Sequence, residues 1–145
     1  MNSITEDTLE QQTKEWFHEI GYSSSFGPDI APEEACAERA KWDDVVLVER
    51  LRNKLIDINP KIPSEGIEEA IRQILLFDIA NPVLQNKRCH QFLTEGVDVE
   101  YQTKDGRKHD KVIVIDFSNP ENNEFHVVNQ YTIIENKNNR RPDLI

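Results

Sequence analysis

The hydrophobic pattern of this chain changes period at Gly96, and that change limits the fold more than any other feature. Upstream, apolar residues recur at helical spacing: Leu9, Trp16, Phe17 and Ile20, then Val48, Leu51, Leu55 and Ile58, then Ile67, Ile71, Ile74 and Leu75. Each set places one apolar stripe on one face of a helix. Downstream, Val97, Val99 and Tyr101 alternate with polar residues, the signature of a half-buried strand. The two halves together predict an α/β or α+β arrangement, with an N-terminal helical segment over residues 1–95 followed by a mixed β-sheet over residues 96–145.

Local signals set the expected boundaries. Ser3 with Glu6, or Asp7 with Glu10, offers a capping box for the first helix, and Gly21 ends it. A Ser-, Gly- and Pro-rich loop is expected from Tyr22 to Glu34. Asp43 or Asp44 is the expected cap of the second helix, with Pro60 as its stop, and Ser64 caps the third. A fourth helix from about Pro82 to Thr94 has Pro in its first turn and Leu84, Phe92 and Leu93 as core contacts. In the second half Asp105-Gly106 marks a tight turn, and Val112-Ile113-Val114-Ile115 reads as a strand buried on both faces. Ser118 to Asn123 is a polar turn, Phe125 to Ile134 another strand, and Leu144-Ile145 the start of a third. No repeat or sustained heptad is present.

A length of 145 residues with 37% hydrophobic content suits one domain with a modest core. Cys36 and Cys89 are far apart and no signal-like apolar segment occurs, which predicts a reducing, cytoplasmic setting. The net charge of −10, from 27 acidic and 17 basic residues, opposes duplex DNA unless positive charge is locally concentrated. Such a concentration exists only near the carboxyl end, where Lys137, Arg140 and Arg141 alternate with asparagines; its plain reading is a solvated polar loop. His18, His90, His109 and His126 show no ligand spacing. There is no Gly-rich phosphate loop, so ATP is not expected to bind here.

The segment Arg140-Arg141-Pro142-Asp143-Leu144-Ile145 places a Pro-Asp pair behind two arginines at the start of an apolar run. An Asp at the mouth of a strand can hold a divalent metal at a phosphodiester, and arginines grip phosphate with forked hydrogen bonds. On composition alone, Asp143 reads more simply as a strand-entry residue.

Six ordered segments add to this: Thr5 to Gln11, Gly27-Pro28-Asp29-Ile30-Ala31-Pro32, Leu93-Thr94-Glu95-Gly96-Val97, Asp116 to Asn123, Val127-Val128-Asn129-Gln130-Tyr131-Thr132 and Asn139-Arg140-Arg141-Pro142-Asp143. In that order they resemble the amino-terminal part of the restriction (R) subunit of type I restriction-modification enzymes. The resemblance implies a partial restriction-endonuclease-like fold of the PD-(D/E)xK class and Mg2+-dependent cleavage of DNA in the parent enzyme. It also implies methylation and specificity subunits as partners, and ATP-driven translocation by motor domains absent from these residues. The family pattern follows its Pro-Asp with an apolar hairpin and a Glu-x-Lys. Residues 1–145 are therefore expected to be the N-terminal part of a single endonuclease domain, truncated before that strand and inactive alone.

By this resemblance Asp143 is a catalytic and metal-binding residue, and Glu10 on the first helix is a second carboxylate at the same metal. Glu10 reads equally well as a carboxylate stabilised by the helix dipole, and Glu6 shares the ambiguity. Lys137, Arg140 and Arg141 become the expected DNA contacts. A competing set, Asp116 with Glu135 and Lys137, satisfies a loose Asp…Glu-x-Lys template. It ranks second, because the family carries a similar Glu-x-Lys upstream of its Pro-Asp; Asp116 would then open the Asn-Pro turn, with Glu135 and Lys137 as a strand end and loop. Asn129 and Gln130 are amides among apolar residues and must find partners, either in neighbouring backbone or in a site they brace. A rival of another class is a non-catalytic acidic interaction domain that docks partner subunits or mimics DNA.

Overall fold

Each apolar stripe of the first half forms a helix in the computed structural model, which describes residues 5–145: α1 (Glu6–Glu19), α2 (Val48–Ile58), α3 (Ser64–Ile74) and α4 (Pro82–Glu95). The strands are β1 (Ser23–Phe26), β2 (Val97–Thr103), β3 (Gly106–Val112), β4 (His126–Asn129), β5 (Ile133–Glu135) and β6 (Asn138–Arg140). Helices and small sheets of both directions make this an α+β chain. Among the described residues the sheet content is three two-stranded pairings, with β1 and β4 parallel and the pairs β2–β3 and β5–β6 antiparallel. The chain divides into two compact units, Val48–Asn123 and the residues up to Leu47 joined with Glu124–Ile145.

In the unit Val48–Asn123, Leu55 of α2 and Ile67, Ala70 and Ile71 of α3 are buried with Val97, Val99, Tyr101 and Val112 of the hairpin. Alternation along β2 sends these side chains to one face, as the sequence pattern requires. The branched run Val112 to Ile115, however, leaves the ladder after Val112. Register runs out there, because Val97 is the partner of Val112 and Gly96 then turns the chain with φ +82°. Asn59 replaces the missing strand: its Nδ2 donates to the Ile113 carbonyl (2.9 Å) and its Oδ1 accepts from the Ile113 N–H (2.8 Å). A buried amide thus satisfies both backbone groups of Ile113. On α4, Leu84 and Leu93 are exposed and only Phe92 packs against the core, contrary to the apolar reading of that helix.

The β2–β3 hairpin carries a pH-dependent contact. Tyr101 donates its hydroxyl to Asp110 Oδ2 (2.5 Å), and Lys108 Nζ lies 3.0 Å from the same oxygen. The Tyr101 hydrogen bond, then the Lys108 one, holds the Asp110 carboxyl below its ordinary value of 3.8, while accepting carboxylate and burial push the Tyr101 phenol above 10.0. A depressed carboxyl stabilises the fold above its unfolded pKa and loses that contribution as pH falls through the folded value. A raised phenol stabilises the fold below 10 and loses its contribution as pH rises through the folded value. Tyr101→Phe should therefore destabilise the protein most between these limits, with the difference from wild type shrinking at both ends. Urea unfolding of both proteins across pH checks this; a difference independent of pH contradicts it.

In the other unit, Thr5 caps α1, accepting from the Thr8 N–H (3.3 Å). The Asp7–Glu10 capping box is not used, since both residues lie inside the helix, and the Ser3 of the other expected box lies outside the described residues. Asp44 Oδ2 accepts from the Ala40 and Lys41 N–H groups, and the third helix takes Pro63 rather than Ser64 as its cap residue. The expected loop from Tyr22 contains β1, four residues running parallel to β4. The single strand expected from Phe125 to Ile134 is broken at Gln130, whose φ of +57° is left-handed. Ile30, Val128 and Tyr131 form this unit's core, with Leu47 and Ile133 against it.

Candidate functional site

Glu10 lies in the second turn of α1, beyond the first-turn amides that would otherwise explain a carboxylate there. Instead it is held from β4. Asn129 Nδ2 donates to Glu10 Oε1 (2.6 Å), and Gln130 Nε2 donates to Glu10 Oε2 (2.6 Å) across 120 residues of sequence. The same Gln130 nitrogen lies 3.4 Å from Asp143 Oδ1. One amide therefore brings together the two carboxylates read from the sequence, while Glu6 stays exposed at the start of α1.

Backbone pairing puts Asp143 in this position. Pro142 to Ile145 run antiparallel to the end of β4: the Gln130 N–H donates to the Asp143 carbonyl (3.0 Å), the Tyr131 N–H to that of Pro142 (3.2 Å), and Val128 and Ile145 exchange two bonds of 2.8 and 2.9 Å. The expected apolar segment at Leu144-Ile145 is thus a pairing segment, bridged at Asn129 and Leu144. The residues on either side of Gln130 are both anchored. Asn129 is only 6% exposed, and Tyr131 is buried under the Arg39 guanidinium, 4.0 Å from its ring centroid, with its hydroxyl donating to the Asp44 carbonyl (3.0 Å).

The left-handed turn at Gln130 also depends on a residue to which sequence reasoning assigned no role. The Gly27 N–H donates to the Asn129 carbonyl (2.7 Å), and a Cβ on Gly27 would stand 2.4 Å from the Gln130 carbonyl oxygen. Only glycine leaves room for that crossing. Gly27 opens one of the ordered segments noted above, so its position was visible, but the steric reason was not.

Lys137 is at the tip of the β5–β6 hairpin with φ +67°, Arg140 closes β6 and Arg141 follows it; all three are exposed on the segment leading into Asp143. Glu135 is an exposed strand end. Asp116 is occupied by its own turn: its carboxylate accepts from Asn122 Nδ2 (2.8 Å), from the Asn119 N–H (2.9 Å) and from the Ser118 N–H (3.0 Å), and these bonds hold its pKa below 3.8.

Two carboxylates and neutral amides make an oxygen-rich set of the kind hard divalent cations prefer. Asn129 Oδ1 is buried with no hydrogen-bond partner, an acceptor that a cation or its water would satisfy. Among the described residues no three His, Cys, Asp or Glu side chains gather as a complete metal set, so these two carboxylates fit a cation as part of its coordination shell. No helix of the described residues is long and apolar enough to cross a membrane.

Fold and site define an α+β chain with a paired-carboxylate centre next to an Arg-rich segment. The sequence matches the family model for the type I restriction enzyme R protein N terminus over residues 3–145, and the chain belongs to that family. It is 31% identical over 143 residues to the HindI endonuclease subunit of a type I restriction enzyme from Haemophilus influenzae, covering 98% of this chain and 14% of that relative. It is also 31% identical over 129 residues to a protein of Methanocaldococcus jannaschii named as the MjaIXP endonuclease subunit, covering 87% of this chain and 12% of that relative. The chain thus spans about one seventh of the length of these relatives. No solved structure matches it.

Proposed function

We propose that these residues are the N-terminal part of the DNA endonuclease domain of a type I restriction-modification R subunit, contributing two carboxylates to a Mg2+-dependent phosphodiesterase centre. The observation that carries this reading is the convergence of Glu10 and Asp143 on Gln130 Nε2. Metal chemistry at a phosphodiester requires oxygen ligands gathered from distant chain segments, and this is such a gathering. When bound, the cation would polarise the phosphoryl group and lower the pKa of a bound water. Glu10 and Asp143 would hold it. Arg140 and Arg141 would grip backbone phosphate through forked charge-assisted bonds, and Lys137 would add a point charge.

Among the described residues the two carboxylates are not a complete metal set, so residues 1–145 alone are inactive on this reading. ATP use belongs to motor domains elsewhere in the parent, and DNA, the methylation subunit and the specificity subunit are its partners. The acidic surface favours a second reading, an interaction domain, only if the paired carboxylates bind no cation. The natural-length protein assembled with its partner subunits should linearise plasmid DNA with Mg2+ and ATP and stop on chelation. Residues 1–145 should neither cleave nor hydrolyse ATP, and should bind duplex DNA only at low salt. Chelator-sensitive nicking by residues 1–145, or full parental cleavage without divalent metal, overturns the proposal.

A further inference from the structure

Asn129 and Gln130 are adjacent amides that donate to the same carboxylate, yet their surroundings differ. Asn129 is 6% exposed in β4, its backbone carbonyl accepting from the Gly27 N–H, and its Nδ2 reaches Glu10 Oε1 alone. Gln130 is half-buried on a left-handed residue, and its Nε2 stands between two carboxylate oxygens, Oε2 of Glu10 at 2.6 Å and Oδ1 of Asp143 at 3.4 Å. An N–H donor between two anions offsets their repulsion, as a cation would. It cannot itself be a ligand, since an amide nitrogen has no lone pair to offer.

Resting on the metal-centre reading above, we propose that the two amides have opposite roles toward a divalent cation: Asn129 is a fixed anchor that keeps Glu10 in the site, and Gln130 is a placeholder that stands between Glu10 and Asp143 and swings out when the cation enters. Both are positioning residues. Removing the anchor frees Glu10 on a helix that has no buried residue to hold it, so cation affinity falls. Removing the placeholder leaves two facing carboxylates without a competing donor, so affinity rises. The unpartnered Asn129 Oδ1 belongs to the amide that stays, leaving an acceptor for the entering ion or its water.

The test is Mn2+ binding, by titration calorimetry, to the natural-length protein and to Gln130→Met and Asn129→Leu. Met keeps the length of Gln, and Leu keeps the shape of Asn, without a donor. Each variant loses a 2.6 Å hydrogen bond to the Glu10 carboxylate, and Gln130→Met also loses the longer one to Asp143, which predicts Mn2+ affinity roughly tenfold tighter or more for Gln130→Met and roughly tenfold weaker for Asn129→Leu. The metal-free melting temperature of Gln130→Met should fall while its rise with saturating Mn2+ exceeds that of wild type. This pairing is not what a purely structural role produces. Asn129→Ser, smaller and too short to reach Glu10, should weaken binding like the Leu variant and guards against a packing fault of the latter. Affinities that shift in the same direction, or not at all, overturn the two roles while leaving the metal centre intact, provided that Glu10→Ala and Asp143→Ala abolish binding. Binding that survives both of those substitutions overturns the metal centre and the two roles together.

Discussion

Asp143→Ala in the natural-length protein should lower DNA cleavage by roughly 10²–10³-fold or more, the scale on which loss of one preorganised electrostatic group slows an enzyme. ATP turnover should stay near the parental rate, because on the proposed reading ATP is used by motor domains outside these residues. The exposed carboxylate of Asp143 carries little packing, so folding should survive. The competing set predicts the reverse: Asp116→Ala or Glu135→Ala would abolish cleavage with folding preserved. The geometry argues against it, since both Asp116 carboxylate oxygens accept bonds from the Ser118–Asn122 turn and Glu135 is an exposed strand end. Asp116→Ala should cost turn stability rather than chemistry. Plasmid cleavage and ATP hydrolysis measured for the three variants, with circular dichroism to check folding, separates the two sets. Near-parental cutting by Asp143→Ala ends its assignment.

Gly27→Ala should have the largest structural effect of any single methyl addition at the site. The new Cβ would lie 2.4 Å from the Gln130 carbonyl oxygen, 2.8 Å from its carbonyl carbon and 2.9 Å from the Asn129 carbonyl oxygen. All three are backbone atoms, so no side chain can swing aside. The β1–β4 crossing must open, at a cost of roughly 1–3 kcal/mol or more for overpacking. In a chain of this size that lowers the melting temperature by roughly 2–4 °C for each kcal/mol. The displaced peptide is the one that sets the Asn129 and Gln130 amides on Glu10, so Mn2+ affinity should fall with stability. Differential scanning calorimetry and Mn2+ titration of the variant check both; unchanged melting and unchanged binding would show that the crossing is looser than its geometry.

The sequence by itself determined the helices, the hairpin at Asp105-Gly106 and the α+β class, because these follow from apolar periodicity and turn chemistry acting within a few residues. It also marked Asp143, Glu10 and the Lys137 to Arg141 stretch, through residue type and a family resemblance that the family match supports. Where strands end was not legible. Val112 to Ile115 has strand propensity throughout, but a strand needs a partner, and Asn59 takes the place of one at Ile113. The break at Gln130 was hidden for a similar reason: Phe125 to Ile134 reads as one strand, while the antiparallel segment at Pro142–Ile145 and the space over Gly27 impose a left-handed residue in its middle. Only tertiary structure decided that Asn129 and Gln130 find their partners on Glu10 and Asp143 rather than on nearby backbone. A buried amide must be satisfied wherever it lies, but which distant oxygen satisfies it depends on chain crossings that no local pattern encodes.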